Sequence, residues 1–270
     1  MFDLVNSNGI LLLGCGKMGS AMLEGWLAGG LHPQSATVLD PNPSEWLLQQ
    51  KGVKINAELP KAPALCLIAV KPQMIGSALP RLQSLGNSNT LFVSIAAGTP
   101  IAEFENLLGT NTPIIRAMPN TPAAIGKGIT ALIGNAKVSE GNLQMAEALL
   151  GAIGRTVRLE NEADMDAVTA VSGSGPAYVF HMIEALAAAG EAEGLSSELA
   201  MELAKATVSG AGQLAETGDA SPTQLRINVT SPQGTTAAGL EVLMASPDGL
   251  VNLMKRTIKA AALRSRELGK

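Results

Sequence analysis

The sequence predicts an α/β fold in two parts: a parallel doubly wound sheet over residues 1–160, then an all-α domain over residues 161–270. Three observations lead there. Apolar runs of strand length alternate with helix-like segments up to Glu160, and no strand-like run recurs beyond it. The first apolar run also breaks directly into a glycine-rich turn. Near-continuous apolar strands separated by helices indicate a sheet covered on both faces.

Ile10-Leu11-Leu12-Leu13 is the opening strand, followed by Gly14-Cys15-Gly16-Lys17-Met18-Gly19 and a helix expected from Lys17 to Ala28. The glycines have separable tasks. Gly14 permits a tight turn, Gly16 lets a pyrophosphate approach the backbone, and Gly19 lets the helix pack on the strand. The pyrophosphate would rest on the free N–H groups and positive dipole of the helix start. This is the context of a Rossmann-type dinucleotide domain. A second strand, Thr37-Val38-Leu39-Asp40, ends on an acidic residue at the spacing that suits a ribose. The Asp40 carboxylate can accept from a 2′-hydroxyl and would repel a 2′-phosphate, which leans towards NADH. Asn42 and Ser44 can donate to a phosphate, so NADPH stays open.

Further strands are expected at 65–70, 91–95, 114–118, 129–133 and 155–159, with helices at 44–51, 72–79, 100–108 and 139–150. The second half reads as helices at 163–171, 176–190, 196–216, 234–244 and 247–267. Ser196 and Ser246 serve as N-caps, with Pro247 at the first helical position. Residues 177–189 are apolar almost all round, interrupted by His181 and Glu184. Such a helix belongs inside something. In a domain of this size that something is expected to be a second subunit, with His181 packed or at the interface.

Composition narrows the function. Hydrophobic residues make up 46% and charged ones 16% of the 270 residues, against about 25% charged in ordinary soluble domains. A formal net charge of −4 gives no basic footprint for nucleic acid. Cys15 and Cys66 have no metal-ligand spacing, and two reduced thiols suit the cytoplasm. Met1-Phe2-Asp3-Leu4 does not read as a signal peptide. No apolar stretch approaches the ~20 residues of a membrane span. A soluble, cytoplasmic protein without metal, membrane or nucleic-acid partner is expected.

Ligands of open α/β sheets bind outside the carboxyl ends of the strands. Three peptides fall there: Val70-Lys71-Pro72-Gln73, Ser94-Ile95-Ala96-Ala97-Gly98 and Met118-Pro119-Asn120-Thr121-Pro122. Small residues in the second would let a flat nicotinamide lie against backbone, and the stiff third would aim the Asn120 amide. In the helical half, Ser172-Gly173-Ser174-Gly175-Pro176-Ala177-Tyr178 reads as a linker of exposed N–H groups and hydroxyls. Val229-Thr230-Ser231-Pro232-Gln233-Gly234-Thr235-Thr236 opens another helix. Its threonines either satisfy their own helix end or form a nest for a carboxylate. Conventional catalytic sets are missing: His32 reads as a surface residue, and no HExxH, Cys–His pair or GxSxG occurs. Glu160, Glu162, Asp164 and Asp166 read as a solvated helix start. An enzyme without an evident acid or base takes its chemistry from a cofactor. Hydride transfer to an imine fits, because a protonated C=N is already electrophilic.

These residues together resemble the pyrroline-5-carboxylate reductase family, and the likeness runs essentially end to end. It is carried by Gly14–Gly19 with Met18, Val70-Lys71-Pro72, Ser94–Gly98, Met118–Pro122, Ser172–Tyr178 and, most specifically, Ser231-Pro232-Gln233-Gly234-Thr235-Thr236-Ala237-Ala238-Gly239-Leu240. The resemblance implies an N-terminal Rossmann domain and a C-terminal dimerisation domain intertwined with a partner, with higher oligomers in many members. It also implies reduction of 1-pyrroline-5-carboxylate to L-proline by NADPH or NADH. By position, Gly14, Gly16, Lys17, Met18 and Gly19 would hold the pyrophosphate, and Asp40, Pro41, Asn42 and Asn56 the adenosine end. Ala69, Val70, Lys71 and Pro72 would flank the ribose and nicotinamide, with Ala96 and Asn120 close by. Ser231, Gly234 and Thr235 would bind the substrate carboxylate, assisted by Ser172 and Ser174. The Thr236 hydroxyl would hydrogen-bond the ring nitrogen as hydride reaches C5. Gln233 departs from the family's usual glycine, and a positive φ there would cost it something. Two rivals remain: a reductase of another imine or keto acid, and a nucleotide sensor that has lost its chemistry.

Overall fold

The computed structural model describes residues 2–269. Eight strands form one sheet: β1 (Ile10–Leu13), β2 (Ala36–Leu39), β3 (Lys54–Ile55), β4 (Leu65–Ile68), β5 (Leu91–Ser94), β6 (Ile114–Met118), β7 (Gly128–Gly134) and β8 (Gly154–Arg158). Their order is β3-β2-β1-β4-β5-β6-β7-β8, the doubly wound arrangement. The order reverses between β1 and β4, which places the ligand crevice at the carboxyl end of β1.

The sheet is not parallel throughout, as the sequence reading has it. β7 runs antiparallel to β6, and β8 is parallel to β7. Connection length explains this. Between Met118 and Gly128 lies only the 3₁₀ turn Thr121–Ile125, closed by Gly126 at φ 69°. A parallel crossover needs a dozen residues or more. The return from β7 to β8 has room for the helix Glu140–Leu150, started by a Ser139–Asn142 capping box.

Successive residues on each strand serve opposite faces, so both faces are packed. Ile10 and Leu12 join Met22, Leu23 and Trp26 on one side, and Leu11 and Leu13 join Ile75, Leu79 and Phe104 on the other. Each such side chain, fully buried, contributes about 1.5–3 kcal/mol. The Trp26 indole N–H is satisfied by the Leu149 carbonyl at 2.8 Å.

Several helices differ from expectation at their ends. Glu45–Leu48 is a single turn capped by Ser44, and Pro72–Ala78 is part 3₁₀, part α. The expected 163–171 helix is α only over Met165–Val168 and continues as a π-helical turn over Thr169–Gly173. The last helix is Leu250–Leu268 rather than one starting at Pro247, because Pro247, Asp248 and Gly249 form a turn in which the Gly249 N–H bonds the Ala245 carbonyl at 2.7 Å. Asp3–Asn8, the short strand β3 and Pro222–Asn228 were not expected.

The chain divides into two compact units, Met1–Gly173 with Ala261–Lys270, and Ser174–Ala260; the sequence reading divides it at residue 160. The second unit contains Gly175–Ala192 and Ser197–Thr217, with Pro222–Asn228 and Thr235–Leu243. Its buried cluster is small: Ala187, Ala200 and Ala204. Val179, Phe180, Leu186, Leu199 and Leu203 are exposed. His181 is not packed within its own chain; its side chain is 83% exposed and its Nδ1 lies 3.0 Å from Glu184 Oε2. Among the described residues no helix is long and apolar enough to cross a membrane.

Candidate functional site

The glycine turn is built as a tight reversal. Gly14 has φ +89°, and a Cβ there would lie 2.8 Å from the Ala69 carbonyl oxygen and 2.9 Å from Val70 Cγ1. A Cβ on Gly19 would meet the Gly14 carbonyl oxygen at 2.8 Å, so helix and turn touch through backbone. A Cβ on Gly16 would meet nothing within 4 Å. Gly16 is the N-cap of Lys17–Ala28 and carries no side chain to close the helix end. The first main-chain bond of that helix is Ser20 N–H to the Gly16 carbonyl at 2.8 Å, so the preceding N–H groups face outward. This cradle fits a pyrophosphate. Lys17 stands exposed at its mouth and Met18 is partly buried behind it.

Asp40 is tied into the same turn. Its Oδ2 accepts from the Cys15 N–H at 2.7 Å and its Oδ1 from the Asn42 N–H at 2.8 Å. Asn56, at φ 51°, pairs its amide with the main chain of Asp40: its Oδ1 accepts from the Asp40 N–H at 2.9 Å, and its Nδ2 donates to the Asp40 carbonyl at 2.7 Å. Asn56 thus shapes the end of β2 through Asp40. Pro41 and Asn42 are exposed. The Cys15 thiol is pushed up by burial, opposed by a contact with the Ser20 hydroxyl and reinforced by the Asp40 carboxylate. Burial likewise pushes up the Cys66 thiol. Both cysteines are free and buried.

At the far end of the crevice, Ala69 and Val70 follow β4, Lys71 is exposed and Pro72 starts a 3₁₀ turn. After β5 the buried Ala96 donates its N–H to Ser94 Oγ at 3.2 Å, and Gly98 turns at φ +80° with Leu268 and Gly269 against it. The Asn120 amide is held: its Oδ1 accepts from the Ile129 N–H at 2.9 Å. Gly173 lies on Met118, where a Cβ would come within 2.5 Å of Met118 Cε. The Ser172–Pro176 segment is therefore no open linker. Thr169 and Ser172 donate their hydroxyls to the carbonyls four residues back, Met165 and Val168, and keep the widened turn helical. Such π turns are frequent at functional sites. Ser174 precedes Gly175–Ala192 without capping it by its side chain.

In the helical unit, Thr230 closes the preceding helix through its hydroxyl on the Arg226 carbonyl at 2.6 Å. Gln233 takes φ 60°, the left-handed conformation that its departure from glycine made costly. Gly234 donates its N–H to the Ser231 carbonyl at 3.1 Å, and a Cβ on it would collide with Ser231 Oγ. The helix Thr235–Leu243 begins after Gly234 with no side-chain cap. Thr235 and Thr236 are exposed in its first turn. They do not satisfy their own helix end, so outward N–H groups and two hydroxyls stand ready for an anion.

The pairing of Arg116 with Glu162 is not read from the sequence. Arg116, 6% exposed in β6, donates from Nη1 to Glu162 Oε1 at 2.9 Å, and the same oxygen accepts the Ile101 N–H at 2.8 Å. Glu162 therefore does not belong to a solvated helix start. Neither does Asp166, whose Oδ1 accepts from the Ser265 hydroxyl at 2.6 Å. The signal was available: an arginine inside an apolar strand needs a carboxylate partner. Among the described residues, no group of His, Cys, Asp and Glu is arranged to hold a metal.

The family profile described as pyrroline-5-carboxylate reductase dimerisation matches residues 162–268, and that described as NADP oxidoreductase, coenzyme F420-dependent, matches residues 9–98. The chain is 39% identical over 265 residues to the pyrroline-5-carboxylate reductase of Pseudomonas aeruginosa, covering 96% of both chains. It is 38% identical to that of Synechocystis, covering 96% of this chain and 97% of the other. The solved pyrroline-5-carboxylate reductase of Coxiella burnetii superposes with a TM-score of 0.91 at 33% identity, over 97% of this chain and 99% of that one. The Plasmodium falciparum pyrroline carboxylate reductase, solved with NADP bound, gives 0.84 at 29% identity, over 98% and 99%. With near-complete coverage and identities of this size, the chain belongs to the pyrroline-5-carboxylate reductase family.

Proposed function

We propose that this protein reduces 1-pyrroline-5-carboxylate to L-proline with NADPH or NADH. The coenzyme, when bound, supplies the hydride that adds to C5 of the protonated C=N bond. The chain's own residues bind, orient and stabilise. Gly14, Gly16, Lys17, Met18 and Gly19 hold the pyrophosphate, and Asp40, Pro41 and Asn42, shaped by Asn56, face the adenosine ribose. Ala69, Val70, Lys71 and Pro72 line the other ribose, and Ala96 and Asn120 face the nicotinamide. Ser231, Gly234 and Thr235 take the substrate carboxylate, with Ser174 contributing a hydroxyl; Ser172, whose hydroxyl proton goes to the Val168 carbonyl, has no donor left for it. Thr236 directs its hydroxyl at the ring nitrogen.

One observation carries the substrate half of this reading. The turn before Thr235–Leu243 holds Gln233 at φ 60° and sets the Ser231 hydroxyl where a Cβ on Gly234 would lie, yet leaves the helix start uncapped. A backbone held in a costly shape around outward N–H groups is suited to a small carboxylate. The exposed apolar residues of Ser174–Ala260 support a homodimer formed through the helical domain, with higher oligomers built on it. Two free cysteines fit a reducing cytoplasm, and the net charge of −4 offers nothing to nucleic acid.

The test is oxidation of each reduced nucleotide with 1-pyrroline-5-carboxylate, followed by the loss of nicotinamide absorbance. Turnover with proline as product supports the assignment. Nucleotide binding without turnover on this substrate overturns it, and points to another imine or keto acid.

A further inference from the structure

The loop from Ser94 to Pro100 forms the wall against which the proposed function sets the nicotinamide, and its shape depends on residues far from it in sequence. Its entry is fixed at Ser94, which lies directly opposite Arg116 in the β5–β6 ladder. Its exit is the N–H of Ile101, the first residue of the helix Ile101–Leu108. That N–H is one of the donors a helix start leaves without an internal partner. The N-cap is Pro100, which has no side-chain acceptor to offer. Glu162 supplies it from a distance: one carboxylate oxygen accepts both Ile101 N–H, at 2.8 Å, and Arg116 Nη1, at 2.9 Å. The exit of the loop and the side chain of the strand residue paired with its entry are thus joined through a single atom. The Arg116 side chain is 8% exposed and that of Glu162 33%, so the bond is shielded on the arginine side.

A second brace meets the middle of the loop. Gly98 packs on the chain end, where a Cβ would lie 3.2 Å from Leu268 Cβ. That end is held through Ser265, whose hydroxyl donates to Asp166 Oδ1 at 2.6 Å, with Arg266 Nε 3.8 Å from Asp166 Oδ2. Ser94 Oγ accepts the Ala96 N–H, which sets the remaining peptide.

We propose that Glu162 is a positioning residue for hydride transfer: by joining Arg116 to the Ile101 N–H it fixes the backbone that receives the nicotinamide. Arg116 shares the role, and Asp166 braces the same loop through Ser265. Glu162 touches neither substrate nor cofactor in this account, which rests on assigning the loop to the nicotinamide. A displacement of the order of 1 Å in a reacting group costs about 10²-fold in rate, so a loosened wall is read in turnover before it is read in binding.

The test compares full-length wild type, Glu162→Gln and Glu162→Ala with 1-pyrroline-5-carboxylate and reduced nucleotide carrying hydrogen or deuterium at the transferred position. Gln keeps an acceptor for the Ile101 N–H, whereas Ala keeps none. Turnover at saturation should fall about tenfold or more in Ala and less in Gln, with KM for the imine within about threefold and a larger isotope effect. A folded Glu162→Ala oligomer with wild-type turnover and isotope effect overturns the proposal, whatever its melting temperature. If the Ala variant does not fold, Glu162→Gln decides by the same readings. Emission of the bound reduced nicotinamide, which needs no substrate, is measured alongside. It should shift towards that of free nucleotide in the variants, and unchanged emission overturns the proposal. Failure of the wild type to reduce the imine counts instead against the proposed function, and the emission result still decides the role of Glu162.

Discussion

Replacing Asp40 with serine separates the task that the structure gives its carboxylate from the one proposed for it. Asp40 accepts two main-chain N–H groups, from Cys15 at 2.7 Å and Asn42 at 2.8 Å. The first belongs to the glycine turn proposed to cradle the pyrophosphate. A serine hydroxyl is shorter, uncharged and can take at most one of them. Losing a hydrogen bond to a charged group costs about 1.5–3 kcal/mol. Part of that cost should appear as weaker binding of both nucleotides. The second task is discrimination. A carboxylate about 6 Å from a 2′-phosphate is repelled by about 3 kcal/mol per charge pair at an effective dielectric of ~20. Screening at physiological salt halves this, roughly. With a phosphate of about −1.5 to −2 charge, the repulsion relieved is about 1–3 kcal/mol. Asp40→Ser should therefore shift the NADPH-to-NADH affinity ratio towards NADPH by about 5- to 150-fold. Dissociation constants from nicotinamide fluorescence titrations at two salt concentrations are the assay, and the shift should shrink as salt rises. Equal weakening of both nucleotides would refute the ribose-facing role and leave Asp40 as a brace for the loop alone.

Thr236→Ala should lower turnover by the ~1–3 kcal/mol of a lost directed hydrogen bond while nucleotide affinity stays nearly unchanged; steady-state kinetics with a nucleotide titration checks both. Gln233→Gly should stabilise the protein by about 0.5 kcal/mol in urea melts at fixed protein concentration, since a strained left-handed residue is relieved at some entropic cost. The opposite substitution next door, Gly234→Ala, should lower imine turnover in the same steady-state assay, because its Cβ would displace the Ser231 hydroxyl. Arg158 bonds both Glu140 and Glu147, and those hydrogen bonds hold both carboxyls below their ordinary range. A carboxyl depressed in the folded state gives its stabilisation above its unfolded value and loses it as pH falls through the folded one. Arg158→Ala should therefore cost stability at neutral pH, and the difference from wild type should vanish in acid and shrink in high salt.

What could be read from the sequence was whatever is decided locally. Four apolar residues followed by glycines at 14, 16 and 19 specify a strand, a turn and a packed helix, and the φ of +89° at Gly14 is the one a side chain would resist. The strain at Gln233 was legible for the same reason, as a side chain standing where glycine is usual. Strand direction was not. An apolar run looks the same read either way, and only the short connection between Met118 and Gly128 betrays that β7 turns back. Two Ser-Pro pairs show how little a cap decides by itself. Ser221-Pro222 starts a helix, its hydroxyl accepting the Gln224 N–H at 3.2 Å. Ser246-Pro247 does not, because Asp248-Gly249 follow and the chain turns before the helix at Leu250 begins. The brace at Glu162 lay beyond local reading, since its partners Arg116 and Ile101 stand 46 and 61 positions away. Half of it was nonetheless announced by an arginine in the apolar run of β6.

The helical half raises a different difficulty. Helix periodicity reports which residues avoid water, not what they meet instead. In the sheet unit the two coincide, because strands and helices of the same chain cover one another and Ile10, Leu12, Leu65 and Leu67 are all nearly inaccessible. In Ser174–Ala260 they come apart. Gly175–Ala192 is apolar on nearly every side, yet Ala187 is the residue it buries within its chain, while Val179, Phe180, Met182 and Leu186 stay open. Three buried alanines supply too little apolar surface to offset the entropy of ordering helices of this length. The missing contacts must come from another chain, and the family to which this chain belongs is described by its dimerisation over residues 162–268. That stretch also contains Glu162, Asp166 and Ser265, which hold the loop after β5. The matched stretch therefore runs through both units, and at its two ends Glu162, Asp166 and Ser265 belong to the sheet unit and hold the loop that follows β5, whereas the exposed apolar residues lie between them in sequence.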